Sequence, residues 1–412
     1  MAAGRGAELL RPPTSSGRAT FLELFFDLAF VVALTRVSQS FADLGDDTGW
    51  ALATGFGRTL LLFLALWLIW SHTAWITSRY EPEQPIIQAV VVGTMFAGLI
   101  MAVALPRAMQ ERALPFAIAY LTVMVLRPLV IAVALRGHPR RLVPIRLAVW
   151  ALASTPLWLA GAFGPDRVRL PLWAAALGVD YLAWALGWPL PRLGASQVGR
   201  WRIAGTHLAD RYQQMFLIAL GESILVIGVV FSGRDYSDLR AAAFAVAFAT
   251  SALLWRIYFH RAGLLLTDAL ERVVLPGRLG AASERTHLLI VLSVLVTSVG
   301  YELVIDDPFG EPRPSWLLFV VGGPMLFLVG RMRLEYEIFG RRSRSHLIGL
   351  AALLLSTPAS ALWAPMVGLS VVAGVLAVVA LLDGLRNRGR PLDGPASPVG
   401  REEASGAGDV EA

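Results

Sequence analysis

Apolar runs of about twenty residues recur along the chain, each closed by a short polar or Pro/Gly-rich break. They lie near 20–41, 50–77, 86–105, 113–135, 144–164, 170–190, 209–232, 239–260, 286–305, 315–334, 345–362 and 365–385. A helix needs about 20 apolar residues to cross the hydrocarbon of a bilayer, in a range of roughly 17–25. The pattern predicts an all-α, polytopic transmembrane helical bundle of about 12 spans over 20–385. The last two runs are parted only by Trp363, Ala364 and Pro365, so eleven or ten spans stay open as alternatives. Residues 1–19 lack the apolar core of a signal peptide and read as a cytoplasmic N-terminal segment. The Pro/Gly-rich stretch 386–412 reads as a disordered cytoplasmic tail.

Composition agrees with that pattern. Of 412 residues, 56% are hydrophobic and 16% charged, where a soluble protein carries about 25% charged residues. Cysteine is absent, which excludes disulfides and thiolate chemistry. The basic charge is all arginine, and the net charge of +6 raises nucleic acid as a partner. The arginines cluster between apolar runs, however, which is a topology signal rather than a binding patch. Segments 136–146, 191–211, 261–285 and 331–344 are arginine-rich, whereas 42–47 and 306–312 are acidic. With both termini in the cytoplasm, the basic segments fall inside and the acidic ones outside, as the positive-inside rule requires.

The two halves, about 20–190 and 209–385, echo each other. Ser154-Thr155-Pro156 and Ser356-Thr357-Pro358 lie about 203 residues apart, as do Arg127 and Arg331, and Asp180 and Asp383. Six helices per half would make a parallel 6+6 repeat, an arrangement of transporters whose halves flank a midplane site. Chance likeness between Leu/Ala-rich helices is the alternative.

Charge inside the runs marks the candidate site. In "TFLELFFDLAF", Thr20 and Glu23 fit a capping box, but Asp27 lies roughly 10 Å into the helix. Glu23, Asp27 and Ser38 share one stripe, and Arg36 points the opposite way. A mid-bilayer aspartate costs about 2.5–3.5 kcal/mol, so such groups face a cavity or a partner. Acids four residues apart also repel, so one is protonated or paired with an arginine from another helix. The seventh run, "HLADRYQQMFLIALGESILVIGVV", sets His207, Arg211, Gln214 and Glu222 on one face, with Glu222 about 15 Å from either end. A polar clamp between helices is the plainer reading of the seventh run.

The second run ends in "ALWLIWSHTAW" and the eighth in "LLWRIYFHRA". Trp70, Trp75, Trp255 and Tyr258 suit an interfacial aromatic belt, while His72 titrates near working pH. His72, His207, His260 and His287 could ring a cytoplasm-facing vestibule with Asp27. No histidine pair has the i,i+3 or i,i+4 spacing of a metal site, and no Walker or GxSxG motif occurs, so no metal or cofactor is expected. Glu302 stands near the outer end of its run, where a charge is cheap.

"FLELFFDLAFVVAL", "LLFLALWLIWSHTAW", "HLADRYQQMFLIALGESILV" and "LLWRIYFHRA", in that order, resemble the bacterial low-temperature-requirement A (LtrA) family. The resemblance runs from about Thr20 to Ile305 and implies a polytopic inner-membrane protein, named for growth in the cold rather than for a reaction. Asp210 stands where that family's pattern has glutamate, His260 where it has aspartate, and Tyr301 where it has an acid.

The buried acids suggest a secondary transporter or ion- or proton-coupled permease, with Glu23, Asp27, His72, His207, Arg211 and Glu222 binding substrate or ion. Trp70, Trp75, Gln214, Trp255 and Tyr258 would assist. A membrane-embedded enzyme or lipid-handling factor at the inner leaflet is the alternative, with Asp27, His72 and His207 as acid–base groups. A non-catalytic scaffold is the third. The expected partners are the lipid bilayer and a small-molecule, ion or lipid substrate.

Overall fold

The computed structural model describes residues 8–12, 17–201, 203–386 and 394–399. Most of the tail expected to be disordered, and the first seven residues, lie outside the described residues. Every apolar run is a helix. These are α1 (Phe21–Ala42), α2 (Gly49–Arg79), α3 (Pro85–Ala104), α4 (Ala113–Ala134), α5 (Leu142–Phe163), α6 (Asp166–Leu186), α7 (Gly205–Ser232), α8 (Asp238–Phe259), α9 (Pro276–Asp306), α10 (Pro314–Phe339), α11 (Arg344–Ser360) and α12 (Pro365–Arg386). A short helix, Ala262–Arg272, joins α8 to α9, and the described residues contain no strand.

Nine of these helical stretches are long and apolar enough to cross a membrane, and α1, α6 and α11 are not among them. The reasons are local. α1 carries Glu23, Asp27 and Arg36, α6 carries Asp166, Arg167, Arg169 and Asp180, and α11 has only 17 residues. α9 starts about ten residues before its apolar run. Its early turns, read from their arginines as loop, instead bury Ser283 and Glu284.

α4 and α10 share an irregularity. Each contains a wide turn, Thr122–Leu126 and Leu318–Gly322, followed by Arg127-Pro128 in one and Gly323-Pro324 in the other. Proline lacks an amide hydrogen and its ring collides with the carbonyl four residues earlier. Widening the turn before it relieves that collision without ending the helix.

Packing follows one scheme in both halves. α1 packs on α2 and α3, α3 on α4, α4 on α5, α5 on α6, and α2 on α6. α7 packs on α8 and α9, α9 on α10, α10 on α11, α11 on α12, and α8 on α12. The halves meet where α1 touches α7 and α9, and where α2 touches α7. The candidate charges sit on that seam.

Candidate functional site

α7 answers the paired acids of α1 with a pair of cations. Arg211 makes a two-pronged contact with Asp27, Nη1 to Oδ2 at 2.6 Å and Nη2 to Oδ1 at 2.7 Å. His207 Nε2 stands 2.9 and 3.0 Å from the Glu23 oxygens. Both pairs span 184 positions in sequence, and the same separation brings Ser38 beside Glu222. A constant offset over four turns means that α1 and α7 run parallel and in fixed register. Two acids one turn apart on one helix therefore meet two cations one turn apart on the other.

Hydrogen-bond accounting fixes one proton. The Ser78 hydroxyl donates to the Ala74 carbonyl at 2.7 Å, so it accepts from His207 Nδ1 at 2.9 Å. With Nδ1 protonated, Nε2 can face the Glu23 carboxyl only if a proton lies between them. The quartet Glu23, Asp27, His207 and Arg211 is then neutral overall. All four side chains are at most 2% exposed, and separating such a buried pair costs about 3–5 kcal/mol.

Further groups hold the quartet in place. Glu23 also accepts the Thr20 amide at 2.8 Å, so it caps α1 and pairs across the seam at once. Trp70 Nε1 donates to Asp27 at 3.0 Å, and Arg211 lies 5.8 Å from the Trp70 ring centre. Gln214 bridges Arg211 at 3.4 Å to Asp210 at 3.0 Å. Asp210 also accepts the Ala19 amide at 2.8 Å.

Glu222 differs. No cation pairs with it among the described residues. The Ser298 hydroxyl lies 3.3 Å from Oε2 and 2.9 Å from the Ser38 hydroxyl, and Oε1 has no hydrogen-bond partner. Roughly 10 Å further along α7, Val229 and Val230 border a cavity of about 730 Å³ at the end of the bundle. Five acids line it (Asp43, Asp46, Glu302, Asp306 and Asp307) against Arg234 and Arg313. Glu302 is thus a vestibule residue, one helical turn from Ser298. The quartet and Glu222 themselves do not line this cavity.

The remaining candidates disperse. Trp70 and His72 are two residues apart on α2, so they point to different sides. His72 meets Trp184 edge-on at 5.3 Å, away from Asp27. Trp75 donates to Glu284 at 2.7 Å, and Trp255 is half exposed. Tyr258 contacts His287 Nε2 at 2.7 Å, while His287 Nδ1 donates to the Ser283 carbonyl at 2.7 Å and its ring stacks on Tyr212. His260 lies beside Arg256 at 2.9 Å. The four histidines thus occupy separate surroundings and do not form a ring. Sequence reasoning passed over Ser78, which orients His207, and Glu284, hidden in a stretch read as loop. The spacing of Ser283, Glu284 and His287 was the available signal for an earlier helix start.

Two comparisons bear on the chain as a whole. The family model described as "Bacterial low temperature requirement A protein (LtrA)" matches residues 18–381. "Uncharacterized protein RA0937" of Rhizobium meliloti (strain 1021) is 32% identical over 351 residues, covering 84% of each chain.

Proposed function

The chain belongs to the bacterial low temperature requirement A family, and from that premise we propose that it is a proton-coupled secondary transporter of the inner membrane. The observation that carries the reading is Glu222. Its carboxyl is buried with one oxygen unpartnered, between the acidic vestibule and the paired quartet. Buried ionisable groups inside spans mark ion and proton routes by default. In this reading Glu222 takes a proton from the vestibule through the Ser38 and Ser298 hydroxyls. Asp27–Arg211 and Glu23–His207 form the closed gate beyond it, and Trp70 and Gln214 hold that gate in register. His72, Trp75, Trp255 and Tyr258 serve away from the gate.

Alternating access needs two bodies, and we assign them to a parallel 6+6 repeat of twelve spans. The packing scheme of α1–α6 recurs in α7–α12. The parallel register of α1 and α7 supports the same assignment, since six spans per half bring both helices in from the same side. "LWLIWSH" at 66–72 and "LWRIYFH" at 254–260 stand at corresponding places in α2 and α8. The arginine-rich segments then put both termini and the quartet end in the cytoplasm, and the acidic vestibule outside.

The test is proton movement into proteoliposomes under an imposed pH gradient. Wild type is expected to dissipate the gradient, and Glu222→Gln to fall at least tenfold while folding normally. Equal rates for Glu222→Gln and wild type would remove the proposal. The full pairing of the quartet favours one other reading, a scaffold in which α7 clamps the two halves. In that case Asp27→Asn lowers abundance, and no variant changes a flux.

A further inference from the structure

A second cavity lies between the first half and the segment that leads out of it, at the quartet end of the bundle. Trp75, Trp184, Trp188 and Trp201 wall it, with His72, Arg79 and Arg127 among them. The Trp188 and Trp201 rings stack 5.9 Å apart with 10° between planes, and the Arg79 guanidinium lies 4.1 Å from the centre of the Trp201 ring. Trp188 itself has φ of 50°, a left-handed conformation that a bulky residue rarely adopts.

Its polar groups are the unusual part. His72 is 3% exposed, and neither ring nitrogen has a hydrogen-bond partner. Arg127 is 5% exposed. Its Nη1 donates to the Ile69 carbonyl at 3.3 Å and to the Thr73 hydroxyl at 2.9 Å, and its Nε has no partner. No Asp or Glu lines the cavity, and Arg127 forms no ion pair among the described residues. Two guanidiniums and an unsatisfied imidazole thus converge on a space with aromatic walls and no negative charge. Buried charges are normally paired, and no side chain in the cavity wall supplies a negative charge to pair with these.

We propose that this cavity binds the carboxylate or phosphate head of an anionic amphiphile. The cavity volume is about 40 Å³. At 10–15 Å³ per water-sized group, that is room for about three such groups, the size of a carboxylate. Arg127 and Arg79 supply charge and His72 supplies one N–H. The tryptophan faces take the first methylenes of the apolar body. Pro128 and Ile131, in the cavity wall, share α4 with the exposed Leu129, Val130 and Val133, so the chain can continue along the lipid-facing surface. The site is independent of the α1–α7 network.

Saturable quenching of tryptophan fluorescence by a bromine-tailed fatty acid tests this in nanodiscs of zwitterionic lipid. Dodecanoate and dodecyl phosphate are expected to displace the probe, and dodecanol and dodecyltrimethylammonium to fail. Arg127→Gln and His72→Phe should each weaken probe binding at least tenfold. Arg79→Gln, at the more exposed edge, gives a milder loss if either buried variant misfolds. Mass spectrometry of the intact wild-type protein, extracted from its membrane, separates the sources: a retained phospholipid mass assigns the head to bilayer lipid, and dodecanoate binding without one assigns it to a free acid. No saturable quenching, equal displacement by dodecanol, or folded variants that bind as wild type would overturn the proposal.

Discussion

Arg127 and Arg331 stand at corresponding points of the two halves, and each clamps the second helix of its own half by backbone carbonyls. Arg127 Nη1 reaches Ile69 at 3.3 Å, and Arg331 Nε reaches Ile257 at 2.9 Å. Ile69 and Ile257 hold the same place in "LWLIWSH" and "LWRIYFH". Beyond the clamp the halves part. Around Arg331 the cavity is lined by Glu335 and Asp383, so the guanidinium shares its space with carboxylates. Around Arg127 it is lined by tryptophans and has no acid. One geometric device, kept in both halves, has its charge balanced from within in one half only. The clamp is common to the two halves, and the charge around it is what differs.

The most damaging way to probe the seam between those halves is Asp27→Asn. It leaves Arg211 buried without its anion, and a loss of about 3–5 kcal/mol is expected, read as the unfolding free energy of detergent-solubilised protein. The arginines separate the halves themselves. Arg331→Gln removes charged hydrogen bonds to the Ile257 and His260 carbonyls, for a loss of about 3 kcal/mol. Arg127→Gln removes an uncompensated cation and should cost about 1 kcal/mol. Equal losses would erase the contrast. Helix approach is probed at two glycines. A methyl on Gly300 would meet the Phe319 backbone of α10 at 3.0 Å, whereas one on Gly98 would meet only the Phe30 ring at 3.5 Å. Gly300→Ala should cost about 1–3 kcal/mol, and Gly98→Ala should gain about 0.5–1 kcal/mol from helix propensity. The same unfolding assay checks both.

Much of this was legible before any coordinates. Long apolar runs placed every long helix, because length and hydropathy dominate in a bilayer. Helical periodicity also put Glu23, Asp27 and Ser38 on one stripe, and the repulsion between the acids asked for a proton or for an arginine from another helix; α7 supplied Arg211. Periodicity on a single helix, however, carries no register between helices, so the 184-residue offset and the His207–Glu23 pair came only with the fold. His72 was grouped with Asp27 because an imidazole titrates near working pH and both stand near the same end of the bundle, which does not say which way the ring faces. Glu284 was missed because arginines around it imitate a loop. What it lacked in hydropathy it gains from Trp75, which only packing reveals.

The claim on which all of this turns is that the acids of α1 and the cations of α7 form one energetic unit across the seam. A double-mutant cycle of Asp27→Asn and Arg211→Gln, followed by unfolding free energy in detergent, measures it directly. The expected coupling is about 2 kcal/mol or more, with the double variant more stable than the two single losses would allow. Losses that add to within about 0.5 kcal/mol would contradict it.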